Sequence, residues 1–572
     1  MISEDKVMTT NNDKSESTAI FALGGIEEIG KNMYVFEYKD EIWIVDCGVK
    51  FVDKNIFLGF NSIVCPFDYI IANINKVQGL IITHAHEDHI GGIPYLLKQI
   101  PIPKIYVAKF TKAIIENKLK EHRDLKAYSF ETFKDDTVVK SKYFTIDFFR
   151  VCHSVPDAFG ICLQTPNGKI VTTGDFRFDF LTQGDESDIT KIAEIGKRDI
   201  DVLLCESTNA QTPGFNINDK YIIDELRREI SAAKGRIFIT LFASNINRVD
   251  EIIEIAIKYH KKVVIMGRSM VNNITATMKL GMLNLSKNEI IELRDANNYS
   301  DSELLFLTTG SQGEEMGALN RIANGENNWI KFKPTDTVIF SSNPIVGNFE
   351  SVEHLLNKLY HCGIHININS TENKIHTSGH ATQSELQLMI KLLNPRYIVP
   401  IHGEFKMLTA LKRNGEELGM NDNHLLIIVN GQKVRLFNNH KAEVTNEFVD
   451  VYDNFVDGDK VISKDIDSLL KYRETLSTDG IISVTIVVNK QAKKLKQLPI
   501  FVIRGSFHSI SSSDLINKIS IAIKNEIEKT MDNSNVAISN DEINRIVKSN
   551  VDYFIWQNKK KKPIVKTIIF EN

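Results

Sequence analysis

The sequence lacks any hydrophobic run of the roughly 18 residues that a membrane span needs. Its polar start, residues 1–17, has no apolar signal-peptide core, and it predicts a disordered tail. It also lacks a basic excess, because 69 Lys and Arg stand against 73 Asp and Glu, a net charge of −4. A polyanion partner would therefore need a local basic cleft or bound cations. We expect a cytoplasmic protein without membrane contact.

Paired cysteines are also missing. The six cysteines are scattered, and no two form a CxxC pair. Several lie in apolar, strand-like text, as Cys152 and Cys205 do. This pattern favours small buried thiols in a reducing compartment over a disulfide framework.

The chain is too long for one hydrophobic core, so we expect several domains. β-branched runs alternate with helical text up to about residue 210, βαβα text follows to about 370, and a mixed pattern begins near 455. We predict a first α/β domain split into 18–215 and 372–453. An α/β domain at 216–371 interrupts it, and a small α+β domain at 454–572 follows it. Two hinges are expected, near 210–220 and 370–380.

The segment IITHAHEDHIGG holds the strongest chemical signal. His84, His86, Asp88 and His89 fall within six residues, between a strand and helix-like text. A lone histidine is usually a satisfied structural residue, but this cluster without a cation would leave polar groups unpaired. Imidazole nitrogen and carboxylate oxygen are ligands that zinc and manganese accept, so the segment predicts a metal site.

The spacing within this segment predicts two ions. His84 and His86 are two residues apart, so extended backbone would place them on the same side to share one ion. Asp88 and His89 lie where the chain turns into a helix, and they can reach a second ion beside the first.

The segment resembles the HxHxDH signature of the metallo-β-lactamase superfamily, whose fold is an αβ/βα sandwich. Four further motifs occur in the superfamily's order: IVDCG with Asp46, VCHSV with His153, TTGDF with Asp175, and PIHGEF with His402. The resemblance implies that Asp46 orients a ligand and that Asp175 bridges two ions. One ion would take His84, His86, His153 and Asp175, and the other would take Asp88, His89, Asp175 and His402.

Three segments resemble the β-CASP group, the branch that processes nucleic acids. CEST (205–208) is similar to its motif A, HTSGH (376–380) to motif B, and His402 to motif C, where histidine is associated with RNA and valine with DNA. Longer matches resemble the ribonuclease J family: GGIEEIGKNMY, LFASNINRV, GRSM, TTGSQGEEMGALNRIA and VIFSSNPIVGN. Two departures occur. Thr377 replaces a family valine, and Asn247 replaces a histidine that would help to hold a phosphate.

The resemblance implies hydrolysis of RNA phosphodiester bonds with two divalent ions, zinc as the first expectation and manganese as the alternative. The activity would be 5′-to-3′ exonuclease with endonuclease capability, in RNA maturation and decay. Asp88 would steer the attacking water, and His380 would stabilise or protonate the departing oxygen. The substrate phosphate would be held by residues of two loops: Ser244, Asn247, His376, Thr377, Ser378, Gly379 and His380. A homodimer or homotetramer is implied, with a paralogous subunit as a further partner.

Three other functions are compatible with parts of this pattern. A hydrolase of a small ester or lactam would share the metal motifs, but such enzymes lack the inserted domain. A catalytically weak partner subunit would share the fold, but degenerate ligands would be expected. A DNA-repair nuclease is disfavoured by His402.

Overall fold

The computed structural model describes residues 16–53, 56–180, 186–283, 289–345, 348–370, 372–507, 512–533 and 537–571. Apart from Glu16 and Ser17, the tail predicted for 1–17 lies outside these residues. Across the described ranges, no helix combines the length and the apolar character needed to cross a bilayer. The chain divides into two compact units, one comprising residues up to 51 and 62–461, the other 52–61 and 462–572.

The larger unit begins with alternating strands and short helices. Its first strands are β1 (Thr18–Gly24), β2 (Met33–Tyr38), β3 (Glu41–Val45), β4 (Val49–Phe51), β5 (Ser62–Val64), β6 (Val77–Ile81), β7 (Ile102–Val107), β8 (Tyr128–Thr132), β9 (Val138–Lys140), β10 (Thr145–Arg150), β11 (Phe159–Thr165), β12 (Gly168–Thr172) and β13 (Val202–Glu206). The helices among them are α1 (Asp68–Ala72), α2 (Glu87–Ile90), α3 (Ile93–Gln99), α4 (Lys109–Leu119) and α5 (Ile189–Gly196).

The middle of the chain repeats a strand–helix unit. Its helices are α6 (Asp219–Ala232), α7 (Ile246–Lys258), α8 (Arg268–Lys279), α9 (Ala318–Ala323) and α10 (Phe349–His361). Its strands are β14 (Ile237–Thr240), β15 (Lys262–Met266), β16 (Ile290–Ile291), β17 (Leu304–Thr308), β18 (Thr337–Phe340) and β19 (His365–Ile368). The larger unit then closes with α11 (Gln383–Leu393), β20 (Tyr397–Ile401), α12 (Phe405–Glu417), β21 (Gln432–Leu436), β22 (Ala442–Phe448), β23 (Asn454–Asp457) and β24 (Lys460–Ile462).

Two sheets packed face to face form the predicted sandwich. The strand order is β22-β21-β1-β2-β3-β6-β7-β8 in one sheet and β20-β13-β12-β11-β10-β9 in the other. Between the sheets lies one apolar core. Helices α3 and α4 cover the outer face of the first sheet, and α5, α11 and α12 cover that of the second. Every residue of β1 is buried, as a strand covered on both faces requires. The αβ/βα sandwich is therefore confirmed.

The inserted part forms a third sheet of six parallel strands, in the order β16-β15-β17-β14-β18-β19. Helices α6, α7 and α8 pack on one face, and α9 and α10 pack on the other. The βαβα text thus predicted the sheet type correctly, because parallel neighbours need helical crossovers. The short strands β4, β5, β23 and β24 form a separate four-stranded sheet.

The smaller unit is an α+β domain. Its elements are α13 (Ile466–Thr478), β25 (Ile481–Asn489), β26 (Lys494–Leu495), β27 (Ile500–Arg504), α14 (Ser513–Asp532), α15 (Asn540–Lys559) and β28 (Ile564–Glu571). Strand β25 is central, antiparallel to β27 and parallel to β28. Its alternate residues are buried, and they share one core with α14 and α15. The sequence placed the start of this domain at 454, whereas the compact units divide after 461; the predicted domain boundaries stay a proposal.

Candidate metal centre

The candidate ligands lie where strands of the two packed sheets end. Each of five site residues lies in the loop that directly follows a strand. Asp46 follows β3, His84 follows β6, His153 follows β10, Asp175 follows β12 and His402 follows β20. Asp88 and His89 lie in the short helix α2, which begins directly after His86. Loops at one sheet edge therefore bring together residues that are far apart in the sequence.

Two backbone features make this convergence possible. Gly48 passes so close to helix α2 that a Cβ there would lie 1.6 Å from the Asp88 carbonyl oxygen. Asp46 and His402 have positive φ angles of 63° and 52°, a conformation that non-glycine residues adopt rarely and that is concentrated at functional sites. The local backbone is thus specialised around the cluster.

The first group of ligand atoms comes from His84, His86, His153 and Asp175, all within 4.8 Å of one another. His86 Nδ1 lies 3.2 Å from His84 Nε2 and 3.0 Å from His153 Nε2. His84, His153 and Asp175 are buried. Three imidazole nitrogens therefore face one another in a largely buried site, with His86 half-buried at its edge.

The second group comes from Asp88, His89, Asp175 and His402, again within 4.8 Å. His402 Nε2 lies 3.0 Å from Asp88 Oδ2, and His89 Nε2 lies 3.2 Å from Asp175 Oδ2. Asp175 belongs to both groups. The two groups have the membership that the resemblance implied.

The Asp175 carboxylate tests whether these residues fit a metal. Its Oδ2 atom is buried and has no hydrogen-bond partner among the described residues. Five imidazole nitrogens nevertheless lie 3.2–3.9 Å away, from His84, His89, His153, His380 and His402. An unpaired buried carboxylate oxygen is costly, and a divalent cation between it and the imidazoles would remove that cost. The donor set thus fits metal ions.

The pKa shifts in the first ligand group agree with this interpretation, whereas in the second group burial is outweighed by Asp175 and Asp88, which raise the pKa of His89 and His402. Burial and neighbouring imidazoles hold the pKa of His84 and His153 well below its usual range, and burial lowers that of His86 to about 4. These rings are neutral at neutral pH, as ligands must be. Burial opposes ionisation of Asp175, but His402 and His89 outweigh it and hold its pKa well below its usual range. The carboxylate therefore carries the negative charge that a cation would balance.

Partners behind the ligands fix the orientation of their rings. Asp46 Oδ2 accepts from His89 Nδ1 at 2.8 Å, so the structure places the predicted orienting residue against a ligand. Thr83, which the sequence analysis missed, donates from its hydroxyl and its backbone N–H to Asp46. The sequence feature that could have identified Thr83 is its position as the one polar residue between an apolar strand and His84.

Residues of the segments that resemble β-CASP motifs A and B contact two of the candidate ligand histidines, His402 and His153. The Gly379 carbonyl accepts from His153 Nδ1 at 2.7 Å, and Thr208 Oγ1 lies 2.9 Å from His402 Nδ1. Gly379 was expected to contact substrate, and Thr208 had been given no role. In the structure, both also position ligands.

His380 lies at the edge of the cluster, and its Nδ1 is 2.8 Å from Glu206 Oε2. Glu206 is fully buried, and its other carboxylate oxygen accepts from the Phe176 backbone N–H. Burial opposes protonation of His380, but Glu206 and Asp175 outweigh it and raise its pKa to about 9. The motif A carboxylate thus orients the motif B histidine.

The other predicted substrate residues fall into two loops. Ser378 Oγ accepts from Asn209 Nδ2 at 2.8 Å, while Ser244 and Asn247 make no side-chain hydrogen bond to any described residue. His376 is held beside helix α7, and burial, followed by the nearby Arg248 charge, lowers its pKa to about 4. Thr377 lies between His376 and Ser378 in the sequence. Asn209 is a further contact that the sequence analysis did not predict.

Models of known protein families match successive parts of this chain in the order of the domains described above. Four family models match: "Metallo-beta-lactamase superfamily" at residues 27–221, "Ribonuclease J, beta-CASP domain" at 234–359, "Zn-dependent metallo-hydrolase RNA specificity domain" at 363–426 and "Ribonuclease J C-terminal domain" at 468–572. The proteins named Ribonuclease J from Mycoplasma pneumoniae and Ribonuclease J 1 from Streptococcus pyogenes are 44% and 37% identical to this chain. The alignments cover 96% and 98% of it, and 97% and 98% of those proteins. The chain belongs to the ribonuclease J family.

Membership of the ribonuclease J family agrees with the fold seen in a more distant structure. A crystal structure of an Enterococcus faecalis protein of unknown function superposes with a TM-score of 0.54 at 18% identity, covering 73% of this chain and all of that one. At that identity the likeness concerns the fold alone. The family models and the histidine–aspartate cluster together indicate a divalent-metal site in this ribonuclease J family member.

Replacing Asp175 with Ala should lower the divalent-metal content of the purified protein by at least half, because this carboxylate belongs to both ligand groups. Elemental analysis of the dialysed protein measures the change. Asp301→Ala, at a half-exposed aspartate paired with Lys333, is the control and should keep the parent content. Equal metal content in the Asp175 variant and the parent would contradict the ligand assignment.

Proposed function

We propose that this chain is a metal-dependent ribonuclease that hydrolyses RNA phosphodiester bonds. The observation that carries the proposal is the convergence of both ligand groups on the Asp175 carboxylate, with His380 and Ser378 of motif B beside them. Membership of the ribonuclease J family supports RNA as the substrate. A histidine at position 402 agrees with RNA rather than DNA.

The proposed cofactors are two divalent ions, zinc first and manganese as the alternative. Support comes from the two ligand groups and from a matching family model that is named for zinc dependence. Such ions lower the pKa of bound water and neutralise charge that develops on the phosphate. Imidazole and carboxylate ligands suit both metals, so the choice between them rests on the family.

Two residues are proposed to act on the reacting atoms. Asp88 is fixed by His402 at 3.0 Å, so its carboxylate can accept a hydrogen bond from the attacking water and orient it. His380 gives Nδ1 to Glu206, which leaves Nε2 as the atom that faces substrate. Protonated there, it can donate to the departing oxygen. The raised pKa of His380 agrees with this role.

The neighbouring phosphate is proposed to bind between the start of α7 in the inserted domain and the loop that follows this domain. The start of α7 offers Ser244 and Asn247, and the loop offers His376, Thr377 and Ser378 together with the Gly379 backbone. Asn209 holds Ser378 in place. These groups supply hydroxyl, amide and imidazole donors, which suit a phosphate oxygen.

Exonuclease action in the 5′-to-3′ direction, with endonuclease capability, is proposed from the family resemblance, as is a role in RNA maturation and decay.

A homodimer or homotetramer, with or without a paralogous subunit, is also proposed from the family resemblance. The outer face of the C-terminal sheet offers exposed apolar side chains that would suit such assembly: Ile500, Val502, Ile568 and Phe570. A cytoplasmic location stays a prediction.

Replacing both His84 and His86 with Ala should lower the rate of RNA cleavage by more than about 100-fold, because removal of residues that merely support metal ligands already costs up to that factor. Cleavage of a labelled single-stranded RNA measures the rate. His354→Ala, at an exposed histidine on α10, is the matched control and should cleave like the parent. Cleavage by the double variant at the parent rate would refute the site.

Replacing His380 with Ala should lower kcat by about 10²–10⁴-fold, since a general acid would be lost. An RNA whose scissile linkage carries sulfur in place of a bridging oxygen needs no protonation of its leaving group. It should therefore be cleaved by the variant at close to the parent rate. Both the 3′- and the 5′-bridging isomers are assayed, and a defect of equal size on all substrates would exclude this role.

RNA with a 5′-monophosphate should be degraded about tenfold or more faster than the same RNA with a 5′-triphosphate. The reason is that one hydrogen bond to a charged phosphate contributes about 1.5–3 kcal/mol, and the larger group would not fit the same donors. Release of labelled 5′ nucleotides measures exonuclease action, and a circular RNA isolates endonuclease action. Equal rates on the two linear RNAs would remove the 5′-phosphate pocket from the proposal.

A further inference from the structure

A buried network of charged side chains lies beside the metal centre, where the chain enters the inserted domain. Its members are drawn from the loop after β12 and from helices α6 and α7: Arg177, Asp179, Asp219, Arg248 and Glu251. None of them belongs to the candidate ligand groups. The function proposed above gives this network no role.

One side of the network belongs to the segment that carries Asp175. Arg177 follows that residue by two positions, and its Nη1 donates to Asp179 Oδ2 at 3.1 Å. The same Asp179 oxygen accepts from the Asp219 backbone N–H at 2.7 Å. The start of α6 is therefore tied to the loop that carries Asp175.

The other side belongs to the inserted domain. Asp219 is the first residue of α6; one of its oxygens accepts from Arg177 and the other accepts from Arg248 of α7. Arg248 Nε also donates to Glu251 at 3.2 Å. Helix α7 begins at Ile246, directly after the segment of Ser244, and it contains Asn247, so the network reaches the proposed phosphate site.

Asp219 is the link that both guanidinium groups share. The side chains of Arg177 and Arg248 are each only 4% exposed, and that of Asp219 is 10% exposed. Arg177 Nε and Arg248 Nη1 have no hydrogen-bond partner among the described residues, so the contacts to Asp219 are not readily replaced. Loss of one partner from a buried ion pair leaves an uncompensated charge. Without the Asp219 charge, Arg177 would keep Asp179 and Arg248 would keep Glu251, but no carboxylate would join the two cations across the junction.

We propose that Asp219 is a positioning residue, which holds the inserted domain at one spacing from the metal centre so that the phosphate-binding loop and Asp175 engage the same RNA strand. This inference rests on the proposed function, because it concerns the alignment of a long substrate. A small phosphodiester needs only the metal centre and is insensitive to that alignment.

The test compares Asp219→Asn with Asp336→Asn. Asp336 accepts two hydrogen bonds from Arg236, at 2.8 and 2.6 Å, and this buried pair lies wholly within the inserted domain. Both changes remove the charge of a buried, arginine-bound carboxylate, but only Asp219 joins the two parts. Arg248→Lys keeps the cation but lacks the guanidinium that bonds Asp219 and Glu251 at once, and it serves as a second variant if Asp219→Asn does not fold.

Two readouts are measured on the full-length, metal-loaded chain. The first is kcat/KM for single-stranded RNA and for bis(p-nitrophenyl) phosphate. The second needs no activity: electron paramagnetic resonance gives the distance distribution between nitroxides on Glu116→Cys in α4 and His354→Cys in α10, in a Cys362→Ser background. If the parent cleaves no RNA, the proposed function fails, and the distance measurement still decides the positioning role.

Asp219→Asn is expected to broaden the distance distribution and to lower kcat/KM for RNA at least tenfold, mainly through KM. Metal content and hydrolysis of the small diester should stay within about twofold of the parent. Asp336→Asn should keep the parent distance distribution and the parent ratio of the two activities. An unchanged distribution in the Asp219 variant, or equal losses on both substrates, would overturn the proposal.

Discussion

The Asp175 carboxylate, enclosed by five imidazole nitrogens and closed to solvent, is the constraint on which the rest of the site depends. Burying this carboxylate among the rings would be costly without added positive charge, since its Oδ2 atom has no hydrogen-bond partner among the described residues. The sandwich accommodates them because strands from both sheets end at one edge, and helix α2 turns sharply beside Gly48. The stability of this edge is therefore linked to the binding of metal, which would stabilise the folded state as any ligand specific to it does.

The same segments that connect the sandwich to the inserted domain also hold the ligands. Gly379 orients His153, and Thr208 orients His402, so both hinge regions end in contacts with the metal site. A movement of the inserted domain would therefore shift the His153 and His402 rings through these two hydrogen bonds. Substrate binding and metal geometry would then be coupled through these two short hydrogen bonds and the continuous backbone, rather than through a long pathway.

Much of the site could be predicted from the sequence, because each ligand follows an apolar strand and lies in a short motif whose order along the chain is itself informative. The fold class followed from the same rhythm of strands and helices. The partners behind the ligands could not be predicted. Asn209 and Ser378 are 169 positions apart, and nothing in either local sequence selects that contact. The buried ion pairs of Asp219 with two arginines could not be predicted either, because the sequence does not distinguish a buried charged residue from an exposed one.

The charges around the proposed phosphate site have a consequence for substrate selection. His376 is neutral at neutral pH, because burial and the Arg248 charge lower its pKa to about 4, and Asn247 is uncharged. The residues proposed to grip the phosphate therefore act as hydrogen-bond donors rather than as cations. In a chain with a net charge of −4, His380 and metal ions held by the candidate ligands would therefore add to the attraction for a polyanion. RNA affinity should then rise with metal occupancy, because bound cations add positive charge beside the phosphate.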